Sequence, residues 1–97
     1  MVTQMHSIHF KADKKLLNFI QEKLNKLELL NQQVISAEVF LRLDKDREKE
    51  NKITEIKLSV PGKEFFAKRQ CKSFEEATDE AIDALKKQII KEKEKHQ

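Results

Sequence analysis

The sequence contains neither tryptophan nor tyrosine, and its 97 residues include only one cysteine, one glycine and one proline. The single cysteine, Cys71, excludes an internal disulfide bond, which is typical of proteins kept in a reducing compartment. The single glycine excludes a glycine-rich loop for binding phosphate groups. No apolar run is long enough for a signal peptide or a transmembrane helix, so we expect a soluble, cytoplasmic protein without a membrane partner.

Charged residues are abundant but nearly balanced. They make up 38% of the chain, and the formal net charge at pH 7 is +3. Such a composition approaches that of disordered segments, but the apolar residues recur with regular periods, so we expect one small folded domain with a highly charged surface. Because the net charge barely favours a polyanionic partner, the distribution of the basic residues has to decide that question.

Apolar periodicity predicts a strand followed by a helix at the start of the chain. Residues 2–10 alternate loosely, as in a strand that buries one face, with Met5 and either Ile8 or Phe10 pointing inward. Asp13 is suited to cap a helix over residues 14–29, because its carboxylate can accept from the free amides of the first turn. The apolar residues of that helix recur three or four positions apart and form one stripe, namely Leu16, Ile20, Leu24 and Leu27.

After residue 33 the apolar period changes to two, which predicts three successive strands. Residues 35–43 alternate strictly, with Ile35, Ala37, Val39, Leu41 and Leu43 on one side. Residues 44–52 carry four basic and four acidic side chains and are interpreted as an exposed hairpin connection. Residues 56–60 form a third strand, which ends at Pro61 and Gly62, since proline removes a ladder donor and glycine permits the turn. Residues 64–71 would then form a fourth strand, antiparallel to the third.

The last helix begins at Ser73, which forms a capping box with Glu76. Its inward face is expected to contain Phe74, Ala77, Ala81, Leu85, Gln88 and Ile89. The complete order predicts an α+β fold, a β-α-β-β-β-α two-layer sandwich in which both helices cover one face of a four-stranded sheet. We expect residues 1–97 to form a single domain. Residues from about 90 to 97 form its basic tail, in which the end of the last helix can fray.

Lysines follow one flank of each predicted helix. At about 100° per residue, Lys15, Lys23 and Lys26 share a flank of the first helix. Lys87, Lys91 and Lys95 share a flank of the second, with Lys86 and Lys93 on its other side. If the helices pack in parallel, two lysine rows would border one groove or broad surface suited to a phosphate backbone. The alternative is ordinary solvation, because acidic residues that open a helix and lysines that close it match the helix dipole. Charge patterning leaves both interpretations open.

No catalytic or metal-binding group of residues is recognisable in the sequence. Cys71 has basic neighbours but no evident histidine or acidic partner, so an ordinary strand residue is favoured over a reactive thiol. His6, His9 and His96 lack convergent partners for a metal ion. No acid or lysine stands beside a nucleophile in a recognisable spacing. We therefore expect neither an enzyme nor a cofactor or a small-molecule substrate.

Several short motifs, in this order, resemble the ribosome hibernation promoting factor family, also called ribosome-associated inhibitors or sigma-54 modulation proteins. The resemblance covers nearly the whole chain and is closest to the short form. It rests on the apolar and basic pattern of residues 16–28, Val60-Pro61-Gly62, Phe66-Ala67, the helix start at Ser73-Phe74 with Ala77 and Asp79, and the ending Gln88-Ile89 with Lys91 and Lys93.

The resemblance implies a fold similar to that of double-stranded RNA-binding domains. It also implies binding to the small ribosomal subunit, in the channel used by messenger and transfer RNA, to block translation in stationary phase or under stress. By position in the family, residues that contact ribosomal RNA would be Lys23, Lys26, Lys87, Lys91, Lys93 and Lys95. Ile90 stands where relatives commonly carry lysine. Because the chain stops at Gln97, we expect a short form that inactivates single ribosomes or pairs them with a helper protein.

Two other functions fit the same residues. A protein-interaction module, for instance a regulator of a transcription factor, would use an exposed edge strand or Phe40 on the polar side of the second strand. A general binder of double-stranded RNA would use the same lysines without preference for the ribosome.

Overall fold

The computed structural model describes residues 1–95, and it confirms the predicted α+β fold. The elements are β1 (Val2–Ser7), α1 (Lys14–Glu28), β2 (Ser36–Leu43), β3 (Lys52–Val60), β4 (Lys63–Cys71) and α2 (Phe74–Lys95). The strands form one sheet in the order β1-β2-β3-β4, in which β1 is parallel to β2 and the other neighbours are antiparallel. Within the described residues, no helix is both long enough and apolar enough to cross a membrane.

The connection from β1 to α1 is longer than the sequence predicted. β1 ends at Ser7 rather than at Phe10, and His9 adopts a positive φ of 64°, a conformation that a strand cannot contain. Phe10 leaves the strand and stacks on Phe74 at the start of α2, with ring centroids 5.0 Å apart. The predicted cap is confirmed, since the amide of Leu16 donates to Oδ1 of Asp13 at 2.8 Å.

The alternating strand β2 buries its centre and exposes its ends. Ala37, Val39 and Leu41 are buried as predicted, whereas Ile35 and Leu43 are 56% and 40% exposed. The prediction placed all five residues on the core side. Ile35, however, lies just before β2 and Leu43 is its last residue, so both are at the ends of the strand, where they are exposed. The core therefore lies against the middle of the sheet.

The turn between β3 and β4 follows the prediction. Val60 pairs with Lys63, so Pro61 and Gly62 occupy the two central turn positions. Gly62 has a φ of 75°, in the left-handed region that glycine adopts without steric cost. Ser73 also acts as predicted, because its hydroxyl accepts a hydrogen bond from the amide of Glu76 at 3.1 Å.

α2 presents a somewhat different face to the sheet from the one predicted. Thr78 and Ile82 are buried, whereas Gln88, predicted to point inward, is only half-buried and lies beside the outer edge of β4. There the Nε2 of Gln88 donates to the carbonyl of Phe66 at 2.8 Å, and the amide of Phe66 points to Oε1 of Gln88 at 3.4 Å. An edge strand leaves such backbone groups without partners, and the Gln88 side chain supplies them.

A pair of threonines lies inside the otherwise apolar core. Thr54 of β3 and Thr78 of α2 are both 0% exposed, and their hydroxyl oxygens are 3.3 Å apart. Each hydroxyl is the other's hydrogen-bond partner, which offsets the cost of removing both from water. The surrounding core is made of aliphatic side chains from all layers, including Ile20, Leu24, Val39, Leu41, Ile56, Leu58, Leu85 and Ile89.

Candidate functional site

The two helices run side by side in the same direction along the sheet. At their beginnings, Phe10 stacks on Phe74. Halfway along, Lys23 of α1 contacts Asp79 of α2, and at the far end Lys93 of α2 donates to the carbonyl of Leu30, just beyond α1. These three contacts define a channel between the helices, which we call the interhelical groove.

The α1 lysines border this groove, as the sequence predicted. The Nζ atom of Lys23 lies 3.1 Å from Oδ1 of Asp79 and 5.3 Å from the ring centroid of Phe19. Lys26 follows one turn later on the same flank and is exposed. Within residues 1–95 no carboxylate lies within ion-pair distance of Lys26, so it is available to an external anion.

The α2 lysines are divided between two flanks of the helix. Lys93 reaches Leu30 just beyond α1, whereas Lys87 borders a shallow depression that it shares with Arg69 of β4 and with the acidic residues Glu80 and Asp83. Lys91 and Lys95 follow Lys87 at steps of four and therefore lie on the same flank, next to β4. The predicted arrangement, with both lysine rows around one groove, is therefore wrong for this second row.

The cause is the orientation of α2 about its axis. Burial of Thr78 and Ile82, and the contact of Gln88 with β4, turn the helix so that the Lys87 flank faces the sheet edge. The helical layer thus carries two basic surfaces. We call them the groove surface, formed by Lys23, Lys26 and Lys93, and the edge surface, formed by Arg69, Lys87, Lys91 and Lys95.

One member of the edge surface, Arg69, was not identified from the sequence. The alternation of β4 could have predicted that its side chain is on the helical side of the sheet, since Phe65, Ala67 and Cys71 share its phase and are buried. Ile90 lies on the outward side of α2 between the two surfaces and is 49% exposed. An apolar residue therefore interrupts the basic character of the helical layer there.

The opposite face of the sheet has its charges paired. Glu38 lies 3.1 Å from Nε2 of His6 and 3.7 Å from Nζ of Lys57. Glu55 accepts from Arg42 and lies 3.8 Å from Nζ of Lys68. In the described part of the chain, by contrast, Lys26, Lys87 and Lys91 have no acidic partner within ion-pair distance. Of the two faces of the sheet, the helical one therefore carries the lysines that are available to a ligand.

Phe40, a candidate contact for a protein partner, also lies on this sheet face. It is half-buried, and its ring stacks on His6 with centroids 4.9 Å apart. Phe66 on the neighbouring edge strand is 52% exposed, so it is the aromatic ring that a partner could reach on this face.

Cys71 is a buried thiol with acidic neighbours. Its Sγ lies 3.1 Å from Oε2 of Glu80, and burial, followed by the bond to Glu80, raises the pKa of the thiol from 9.0 to about 11. Glu76 also brings a carboxylate within 4.8 Å of these two groups. The sequence suggested no acidic partner for Cys71, and the structure supplies two. Burial, together with these carboxylates, keeps the thiol protonated near neutral pH, which supports the interpretation of Cys71 as an ordinary strand residue.

Comparison with known proteins supports the family resemblance. The profile of the family described as "Sigma 54 modulation protein / S30EA ribosomal protein" matches residues 3–97. A protein named ribosome hibernation promoting factor, from Pseudomonas putida, is 28% identical over 89 residues, which cover 92% of this chain and 83% of the relative.

Two solved structures have the same fold. A ribosomal subunit interface protein from Coxiella burnetii matches with a TM-score of 0.86 at 18% identity, covering 96% of this chain and 98% of that one. The N-terminal domain of Protein Y from Thermus thermophilus matches with a TM-score of 0.79 at 20% identity, covering 92% and 96%. Since the family profile spans nearly the whole sequence, the chain belongs to the sigma 54 modulation protein / S30EA ribosomal protein family.

Proposed function

We propose that this protein binds the small ribosomal subunit through its helical layer and inhibits translation by occupying the channel for messenger and transfer RNA. The observation that carries the proposal is the unequal pairing of charge on the two faces. On the helical layer Lys26, Lys87 and Lys91 have no acidic partner among residues 1–95, whereas Lys57 and Lys68 of the open sheet face are paired with glutamates. The names of the Pseudomonas and Coxiella proteins, which refer to ribosome hibernation and to the ribosomal subunit interface, support the same assignment.

The mechanism is steric occupation of the channel, without a chemical step. Lysine ammonium groups contact phosphate oxygens and release condensed counterions, which gives affinity without reading bases. RNA of this kind is recognised by shape and by its backbone, so a rigid two-helix layer suits the task. The protein would act in the cytoplasm, in stationary phase or under stress, when ribosomes are to be kept inactive.

The six lysines contribute unequally in this proposal. Lys26, Lys87 and Lys91 can bind phosphate directly, because they are exposed and have no acidic partner among residues 1–95. Lys23 first has to leave Asp79, and Lys93 has to leave the carbonyl of Leu30. Lys95 extends the edge surface by one turn beyond Lys91. We therefore expect the largest losses of affinity from Lys26, Lys87 and Lys91.

Co-sedimentation with ribosomes tests this assignment. A variant with Lys23, Lys26, Lys87 and Lys91 changed to Glu should lose binding to the small subunit. The matched control changes Lys45, Arg47, Lys49 and Lys72 to Glu, which alters the net charge equally at exposed positions of the β2–β3 and β4–α2 connections, outside both basic surfaces. If both variants bind equally, the interface is not on the helical layer.

The salt dependence provides a second measurement. Four phosphate contacts predict a loss of affinity of about a hundredfold between roughly 50 and 200 mM salt. Plain duplex RNA that competes as well as small subunits do would indicate a general binder of double-stranded RNA. A defined protein that remains bound after nuclease treatment, with no ribosomal RNA recovered, would indicate a protein-interaction module instead.

A further inference from the structure

The outer edge of β1 carries backbone groups that are free to pair. The amide of Val2 donates to the carbonyl of Ile35, just before β2, at 3.1 Å, and the amide of Ile8 donates to the carbonyl of Leu41 in β2 at 2.9 Å. Backbone groups along a strand alternate between its two sides, so the intervening even-numbered residues also face β2. The amides and carbonyls of Thr3, Met5 and Ser7 therefore point away from the sheet, and no side chain among residues 1–95 donates to or accepts from them.

The two edges of the sheet are protected to different degrees. At β4, the Gln88 side chain binds the outward backbone groups of Phe66, and the strand carries several charged residues, Lys63, Glu64, Lys68 and Arg69. Charges and covering side chains are the usual means of preventing a sheet edge from pairing with another chain. β1 has neither, since its sequence from Val2 to Ser7 contains no Lys, Arg, Asp or Glu.

The flank of α1 above β1 is complementary to itself. Nε2 of Gln21 lies 3.4 Å from Oγ1 of Thr3, and Glu28 lies 3.0 Å from the amino group of Met1, so this flank faces the β1 edge. Lys14, Gln21 and Glu28 recur every seven residues and form one row with steps of about 10 Å. In two antiparallel copies of this row, Lys14 of one copy faces Glu28 of the other, and the two Gln21 side chains meet.

We propose that β1 pairs antiparallel with β1 of a second copy of this chain, which gives a two-fold symmetric dimer with a continuous eight-stranded sheet. Pairing centred on Thr3, the β1 residue that Gln21 contacts, places the two Thr3 side chains opposite each other, a favourable cross-strand combination of hydroxyl groups, and Met5 opposite Met1 of the second copy. The strand spacing of about 5 Å brings the two α1 helices side by side at a normal packing distance of roughly 10 Å.

The dimer leaves both basic surfaces accessible, because they lie on the α2 side of each copy. The inference thus goes beyond the proposed function and does not depend on it. Loss of ribosome binding in the lysine variants would leave the dimer intact, and a monomeric variant would still carry both basic surfaces.

Thr3→Pro is a specific test of this pairing. Proline removes an amide that faces the open edge, so the ladder with β2 keeps all its hydrogen bonds, and proline is tolerated in edge strands. Thr3→Val is the matched control, because it keeps the amide and the shape of the side chain. Light scattering of the size-exclusion peak, over about 1 μM to 1 mM protein, gives the dissociation constant.

The wild type and Thr3→Val should form particles of twice the 11.5 kDa monomer mass, whereas Thr3→Pro should dimerise at least about tenfold more weakly with an unchanged circular dichroism spectrum. Hydrogen exchange should show the amides of Thr3 and Met5 becoming protected as concentration rises. Lys14→Glu should weaken the dimer most at low salt, because it places like charges opposite each other.

Three results would overturn the proposal. The first is a wild type that stays monomeric over the whole range. The second is a dimer that Thr3→Pro does not weaken. The third is protection of the Thr3 and Met5 amides in protein that light scattering shows to be monomeric, because an edge closed within the monomer leaves no backbone groups for a second copy to pair with.

Discussion

The buried threonine pair allows a sharp test of how this small core tolerates polar groups. Thr54 and Thr78 come from different layers, are fully buried, and have hydroxyl oxygens 3.3 Å apart. Changing either residue to valine preserves its shape but leaves the other hydroxyl without its partner. An unsatisfied buried hydroxyl costs about 1–3 kcal/mol, so each single variant should lose that much free energy of unfolding.

The double variant Thr54→Val/Thr78→Val should behave differently. It removes both hydroxyls and leaves two apolar side chains of matched volume in contact, so its stability should return to within about 1 kcal/mol of wild type. Helix propensity contributes little, because threonine and valine are similar in that respect. The expected signature is therefore strong non-additivity, with a coupling energy of about 1–3 kcal/mol.

Urea unfolding followed by circular dichroism measures these differences. With a slope of about 1–1.5 kcal/mol per M, a loss of 1.5 kcal/mol lowers the midpoint by roughly 1 M. If the two single losses simply add in the double variant, the hydroxyls are not each other's partners and the reasoning is refuted. A double variant much less stable than either single variant would lead to the same conclusion.

Two further predictions concern the turn and the cysteine. Gly62→Ala should lower the free energy of unfolding by about 1 kcal/mol, measured by the same urea titration, because a Cβ there meets no atom within 4 Å and the cost comes only from the positive φ. A larger loss would show a steric contact that the structure lacks. Cys71, with a pKa raised to about 11, should contain about a hundredfold less thiolate at pH 8 than a thiol of pKa 9.0, so alkylation should be slow and should accelerate up to about pH 11. The raised pKa also makes the folding stability depend on pH. Its contribution favours the folded state below about pH 9 and is lost as the pH rises towards 11. Glu80→Gln should lower the pKa of the thiol and speed alkylation, and an unchanged rate would contradict the role given to Glu80.

The sequence predicted those parts of the fold that depend on local patterns. The Asp13 cap, the alternation of Ala37, Val39 and Leu41, and the turn at Pro61 and Gly62 all follow from steric or hydrogen-bonding rules that act over a few residues. The strand boundary at Ser7 could not be predicted in this way, because the positive φ of His9 and the contact of Phe10 with Phe74 depend on tertiary packing.

The sequence could group the candidate lysines along each helix, but it could not predict how the two groups are arranged relative to each other. Helical spacing correctly grouped Lys87, Lys91 and Lys95 on one flank. Which neighbour that flank faces depends on how α2 is oriented about its axis, and that orientation is set by burial of Thr78 and Ile82. Spacing within one helix contains no information about this. The contacts of Lys23 with Asp79 and of Cys71 with Glu80 could not be predicted either, because each joins two different elements of the fold.

The contact of Gln88 with Phe66 has a consequence for the entropy of ligand binding. An amphipathic helix that contacts a sheet only through apolar side chains can rotate slightly about its axis. Such a rotation would move its outward side chains by several ångströms. The two backbone contacts of Gln88, with the neighbouring pair of Lys63 and Glu92, fix the rotational setting of α2. The directions of Lys87 and Lys91 are thereby determined during folding, so less conformational freedom remains to be lost when an anionic surface is bound.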